Sequence, residues 1–595
     1  MGRESQALVG RGGVSHAARR PTPADAKLSR SVCVLDVSRL GYADRLSATS
    51  LQGLVNREGP RLFLDFGIFD DPSARRTNED FLPEAIWREK FRDVVGNQDQ
   101  HNLSYYRKKH GLRVVSARDL EAAVLQFRPA LKGVVVWDPA TPDTVNVALM
   151  LAGLENLLVV SPEMATWAEQ TFGLKVHHDL RGRWKHRLTL YRWAFTSLFP
   201  RCREGWIACI EPAWQRPEFT DYIVQHKIFV FSLSSASKNA LFRAGQTILL
   251  MLVGGPSGLR NAIFDLHFEP VIKMLGLWLM GLGSSETRLA LRIHRAVKAC
   301  PYPTIFGWHT ARDDELAFML LLSASNLRLV PSHLAGNFSF HSQLPGPSHF
   351  EQAHSDPVSV SLEDKTYLTF TLSDGDQLVL MNTGELGNWR RNERGRVPFN
   401  WEIQPLLVEL APALLEQYYE TRRESDYLVA GPSGAGYIIP PLNTRREAFL
   451  KETGRICRAA DVRVFTPYIG DPPRRLIEEY GRMPGNVLGF IGGYAHFGRV
   501  PMYRVHGRPW LAYAWPYFQN VWDSGEQTLQ AVRRLVEAAG PRPRFVAVHL
   551  FAYRTTLRDV YEFVQTLDPR KVKIVRADEF LLAASQFMER DGDHR

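Results

Sequence analysis

The stretch 367–377, YLTFTLSDGDQ, reads as a β-strand that stops in a polar turn. Residues 367–372 are aromatic, β-branched or apolar, and Ser373-Asp374-Gly375-Asp376 follows them, with a glycine that lets the backbone turn sharply. Similar runs recur at 304–307, 328–330, 427–430, 462–465, 487–491, 545–548 and 572–575. Helical stretches at 405–421, 445–459, 526–539 and 556–567 lie between several of them. Eight such runs predict an α/β architecture with a C-terminal (β/α)8-like barrel over residues 301–595.

The residues that end the runs carry the functional reading. They include Trp308-His309, Ser332-His333, the SDGD turn, Gly431 to Gly434 in sequence, Thr466-Pro467-Tyr468, Gly492-Gly493-Tyr494, His549 and Asp578-Glu579. In a barrel these ends meet at the C-terminal rim, where such folds build their sites.

The first half has a different rhythm. A strand at 31–36 is followed by helical spacing over 43–55, and short β-rich runs at 61–64, 112–115, 133–137, 157–160 and 174–177 alternate with helices. This predicts an N-terminal layered α/β domain over 31–185 with mainly parallel strands. Residues 186–300 read as a mostly helical connector, and 1–30 as a disordered basic leader. No GxGxxG or Walker loop follows any strand, so no nucleotide cofactor is expected.

The formal charge is +10, of which the leader supplies +4. A modest excess over so large a surface does not predict nucleic-acid binding. Five scattered cysteines without a CxxC spacing indicate neither a disulfide framework nor a cysteine zinc site. The N-terminus lacks the apolar core of a secretory signal, so a cytoplasmic location is expected and an extracytoplasmic one is left open. The apolar stretches 247–253 and 274–282 are too short for membrane spans and read as buried helices. Oligomeric state is not legible.

Asp374 and Asp376 flank one glycine, and paired carboxylates suit general acid/base work, glycoside cleavage or metal ligation. His549 ends its strand as a candidate proton-transfer or hydrogen-bonding group. The loop GPSGAGYIIP at 431–440 permits close backbone approach at Gly434 and Gly436 and presents Tyr437. Trp308, Trp401 and Tyr494 offer flat apolar faces edged by polar groups, which suit a sugar ring. No HxxxH or HExxH spacing supports a metal site.

Gly434-Ala435-Gly436-Tyr437-Ile438-Ile439-Pro440 resembles the signature of the GxGYxYP family, whose label is glycoside hydrolase; Ile439 stands where the signature has its second tyrosine. Segments 44–57, 179–191, 303–308 with Glu315, 331–342, 367–377, 400–411, 491–494 and 546–549 are also similar to family segments. The resemblance covers about residues 31–590. It implies an N-terminal α/β region joined to a barrel-like catalytic domain, a carbohydrate ligand, and a site that includes Glu315, Asn337 and Gln377.

The leading expectation is a carbohydrate-active hydrolase with Asp374 and Asp376 as the central carboxylates. Two acids on one turn are close together for a glycosidase, whose carboxylates stand roughly 5 to 10 Å apart, so a partner such as Glu402 or Asp578 is considered. The alternatives are a metal-dependent hydrolase or deacetylase acting on glycans, with Asp374 or Asp376 and His549 as ligands, and a non-catalytic glycan-binding protein.

Overall fold

The computed structural model describes residues 31–70, 83–299, 301–313, 315–493, 502–515 and 524–590. The leader expected over 1–30 lies outside them. Strands β1 (Ser31–Asp36), β2 (Leu62–Asp65) and β3 (Arg113–Ser116) form a parallel sheet in the order β2-β1-β3. Strands β4 (Gly133–Val136), β5 (Leu157–Val160) and β6 (Val176–Asp179) form a second, in the order β5-β4-β6. The helix Tyr42–Val55 joins them through a side rich in hydroxyls and amides. Ser47 Oγ donates to Val159 O of β5 at 2.6 Å, and Gln52 Nε2 to Leu62 O of β2 at 3.2 Å. Buried polar side chains need such partners, which explains a helix so short of large apolar residues at the centre of a core.

The segment expected to be a mostly helical connector contains two strands, β7 (Trp206–Cys209) and β8 (Phe229–Phe231). They pair with β9 (Thr304–Gly307) and β10 (Arg328–Pro331) in a parallel sheet of order β10-β9-β7-β8. Two of the runs assigned to the C-terminal barrel therefore belong to another sheet, and that sheet spans the boundary expected at residue 300. Runs of three or four apolar residues do not reveal which neighbour they pair with, because pairing is set by tertiary packing.

The remaining strands are β11 (Thr366–Ser373), β12 (Phe399–Ile403), β13 (Asp426–Ala430), β14 (Val464–Phe465), β15 (Gly489–Gly492), β16 (Met502–Val505), β17 (Arg508–Ala512), β18 (Arg544–Phe551) and β19 (Val572–Ile574). Their order is β16-β17-β15-β14-β13-β12-β11-β18, with β19 also on β11. All pairs are parallel except the hairpin β16-β17. The sheet curls: just beyond β17, the Ala514 amide donates to Ala547 O at 2.8 Å, and the His549 amide of β18 donates to Trp515 O at 2.9 Å. This curled, mostly parallel sheet replaces the expected succession of eight βα units.

Strand alternation sorts its two faces. Tyr367, Tyr427, Val429, Val464, Ile491, Leu511 and Ala547 point inside and pack with Phe580 and Leu581 of the helix Ala577–Arg590. Leu368, Phe370, Leu372, Trp401 and Leu428 point outward into the core beneath the helices.

The apolar stretches around 247–253 and 274–282 lie in helices Ala240–Gly254 and Glu269–Gly283, but they are not fully buried. The two backbones approach closely at Gly245 and Gly276, where a Cβ on Gly245 would stand 2.4 Å from Gly276 O. Met251, Met274, Leu275, Trp278 and Leu282 remain exposed on the far side. No single helix among the described residues is long and apolar enough to cross a membrane.

Asn337, with φ 61°, binds the first sheet to the third. Its Nδ2 donates to Leu64 O at 2.8 Å and to Asp99 Oδ1 at 2.9 Å, while its Oδ1 accepts from the Leu64 amide at 2.9 Å and from Gln52 Nε2 at 2.7 Å. Asn337→Ala strands those buried groups and is expected to destabilise the fold by about 3 kcal/mol. Urea unfolding monitored by tryptophan fluorescence checks this; an unchanged midpoint contradicts it.

Candidate functional site

The interior of the curled sheet changes character toward the C-terminal ends of its strands. Above the apolar layer stands Glu402 of β12, fully buried. Its Oε1 accepts from Ser373 Oγ at 2.8 Å and Gln377 Nε2 at 2.9 Å, and its Oε2 from Thr466 Oγ1 at 2.5 Å. His549 Nε2 stands 3.5 Å from Oε2, and the His549 ring stacks on Tyr513 at 4.4 Å between centroids. Burial, reinforced by the nearby Glu402 charge, pushes the Tyr513 phenol well above its ordinary pKa. Gly431 closes the layer, since a Cβ there would lie 1.9 Å from Thr466 Oγ1 and 2.3 Å from Glu402 Cδ.

Directly above this layer, the turn after β11 puts Asp374 and Asp376 at the rim, Asp374 half-buried and Asp376 buried. Gly375, with φ 82°, faces the Tyr437 ring, and its Cβ position lies 3.7 Å from Cε1 of that ring. The Tyr437 hydroxyl donates to Glu315 Oε1 at 2.9 Å, and Tyr468 packs against the same ring at 5.4 Å. One tyrosine ring thus separates the β11 turn from a carboxylate supplied by the helix Glu315–Ala324. Arg554, in the loop after β18, lies in the field of Asp374. Its guanidinium is buried, and its nitrogens have no hydrogen-bond partner among the described residues. Burial lowers its pKa, partly offset by Asp374.

The structure brings Asp374, Asp376, Gln377, Tyr437, Glu315 and His549 into one neighbourhood, but at two depths. Gln377 and His549 belong to the buried layer, so neither faces the rim. Gly434 and Gly436 have φ of 114° and 107° and press on Thr453 and Arg328. They shape the loop so that Tyr437 pairs its backbone with Leu329 of β10, rather than opening a surface to ligand. Trp401 points away from the interior, opposite to Glu402, and donates from Nε1 to Asp426 Oδ1 at 3.0 Å. Asn337 is consumed by the ties between sheets. Trp308 lies among His309, His333 and Phe318, stacked on His333 at 5.9 Å. Tyr494 lies outside the described residues. Asp578 is paired with Arg576 at 2.9 Å and accepts from the Ser355 amide, away from the rim turn. Among the described residues, no three His, Cys, Asp or Glu side chains converge as a metal-holding group.

Residues 364–584 match the model described as "GxGYxYP putative glycoside hydrolase C-terminal domain", and residues 131–202 match the "GxGYxYP_N second domain". The chain carries GxGYxYP-family domains. The family signature maps onto the loop between β13 and the helix Arg446–Ala459. Its retained tyrosine, Tyr437, is the one at the rim. Ile439, in place of the second, is fully buried, and its amide donates to Ser323 Oγ at 2.8 Å. A solved structure described as a "putative hydrolase" from Bacteroides thetaiotaomicron VPI-5482 shares the fold, with a TM-score of 0.69 and 18% identity. The match covers 93% of this chain and 94% of that one. No curated protein matches this chain.

Glu385 lies behind the buried layer, fully enclosed, with no hydrogen bond to either carboxylate oxygen among the described residues. Burial, then the charges of Glu402 and Asp426, hold its carboxyl well above the usual range. The folded state keeps a proton that the unfolded chain releases near pH 4.3, so this group's contribution to stability declines as pH rises from there toward the folded pKa. Glu385→Gln removes that penalty. Its advantage over the wild type is expected to grow by at least about 1 kcal/mol between about pH 4.5 and pH 7.5. Denaturant melts at the two pH values check this, and a pH-independent difference contradicts it.

Proposed function

We propose that this GxGYxYP-family chain is a carbohydrate-active hydrolase whose reacting carboxylates are Asp374 and Glu315. The observation that carries this reading is the Tyr437 ring, which has the β11 turn against one edge and Glu315 on its hydroxyl. Two elements then supply two carboxyl groups, which meets the spacing difficulty of two acids on one turn. A sugar would lie against the exposed part of the rim. Asp374 would protonate the leaving oxygen, and Glu315, already an acceptor for Tyr437, would serve on the opposite side as base or nucleophile. Water's hydroxyl then ends on the anomeric carbon and its proton on the departing oxygen.

Asp376 belongs to the same turn and would support Asp374. Arg554 would balance the charge of Asp374 from beneath the turn. Glu402, Gln377 and His549 are positioning residues in this account: they fix the base of the turn without touching the sugar.

The family label favours a carbohydrate substrate, and the test is a screen of glycans and acylated glycans. Asp374→Asn and Glu315→Gln are each expected to lower kcat by at least about 100-fold on any glycan that the wild type cleaves. Tyr437→Phe is expected to lose about tenfold. Wild-type rates in both carboxylate variants overturn the assignment. Release of acetate without new reducing ends transfers the site to deacylation.

A further inference from the structure

In the hairpin formed by the helices Ala240–Gly254 and Glu269–Gly283, with Ser257–Asp265 between them, the helix Glu269–Gly283 wears its polarity inside out. Along Glu269–Gly283 the charged residues face inward. Glu269 pairs with Arg446 at 3.5 Å and Arg475 at 3.6 Å, while Lys273 donates to Thr444 Oγ1 at 2.9 Å and Asn326 Oδ1 at 3.2 Å. Burial of the Lys273 ammonium lowers its pKa to about 8. Val271, Met274 and Trp278 face outward, with 61%, 65% and 59% of their surface exposed. Leu266, Phe268 and Leu282 extend the same surface.

Positions 271, 274, 278 and 282 share one helical face. A helix on an aqueous surface has the opposite arrangement, with charge outside and large apolar groups inside. The ion pairs beneath Glu269 hold the hairpin in this orientation. A contiguous apolar surface of this kind marks contact with another apolar phase.

We infer that this hairpin is a membrane-docking element that lies in the interfacial zone of an anionic lipid bilayer. Three observations select lipid. Ala240–Gly254 and Ser257–Asp265 together have the length and apolar composition of a broken span, yet they are bent by 93°, a geometry for lying in one leaflet rather than crossing. Trp278, placed among aliphatic side chains, suits the boundary between headgroups and acyl chains. The exposed formal charges between residues 238 and 283 are Lys238 and Arg243 against Asp265 alone, a balance that attracts anionic headgroups.

The test floats the full chain with vesicles of phosphatidylcholine alone, or with phosphatidylglycerol at about 3:1. The wild type is expected to rise with the anionic vesicles. The double variant Met274→Glu, Trp278→Glu is expected to lose at least about tenfold of the bound fraction, with an unchanged thermal melt. Because that variant could lose its fold, brominated acyl chains supply a second reading. They should quench the wild-type fluorescence, and the quenching should fall in Trp278→Phe while binding persists. Absence of flotation with either vesicle overturns the inference, as does flotation that the double variant leaves unchanged. A dimer that the double variant converts to monomer, without flotation, assigns the face to a second copy instead.

Discussion

Glu402 sets the terms for the C-terminal half of the molecule. An ionised carboxylate removed from water loses several kcal/mol of solvation unless donors replace the lost hydrogen bonds. Ser373, Gln377 and Thr466 supply those donors from three places around the curl. Each requirement propagates outward. Ser373 must end β11 at this level and Gln377 must begin the following helix, so the three residues between them have little choice but to form the turn at the rim. Gly431 must remain glycine, because any Cβ would enter the space of Thr466 and Glu402. The positions of Asp374 and Asp376 follow from an interaction in which neither takes part.

The same constraint explains what was legible in the sequence. The run 367–372 and its polar ending announced β11 and the turn, because Leu368, Phe370 and Leu372 alternate with a tyrosine and β-branched threonines, residue types that favour strands. The segment Phe399–Ile403 was hidden as a strand: its inward residues, Asn400 and Glu402, are polar, so no apolar run marks it. Asn400 donates to Phe370 O and accepts from the Ala577 amide, a role that hydropathy cannot signal. Trp401 looked like a ligand platform beside the motif, yet strand alternation turns it away from the interior when Glu402 faces in. Tyr437 is legible in its glycine-rich loop, whereas Glu315 is legible only through the family resemblance. Their mutual hydrogen bond depends on β10 receiving the signature loop, which no local pattern encodes. Arg554 carried no signal at all, for an arginine in a loop usually faces solvent.

The first half of the chain obeys a related rule with different materials. The helix Tyr42–Val55 and the residue Asn337 put amides and hydroxyls where large apolar groups would normally lie, and each is matched to a strand backbone or to another polar side chain. The layered α/β reading survived because its strands are short apolar runs with turns between them. The segment 186–300 is mostly helical as expected, but β7 and β8, of only four and three residues within that helical background, left no signal. The hairpin at 240–283 inverts the usual rule. Its apolar composition suggested burial, but the charges of Glu269 and Lys273 take the inner positions and leave the apolar face outside.

The proposed sugar site lies at the rim, between the β11 turn and the Tyr437–Glu315 pair, above the buried Glu402. Crystals of Asp374→Asn soaked with a glycan selected by the hydrolysis screen test this most directly. The account predicts density for a sugar ring within hydrogen-bond reach of residue 374 and of Glu315, with the Glu402 contacts unchanged. A sugar bound elsewhere on the molecule, with the Tyr437 rim empty, contradicts it.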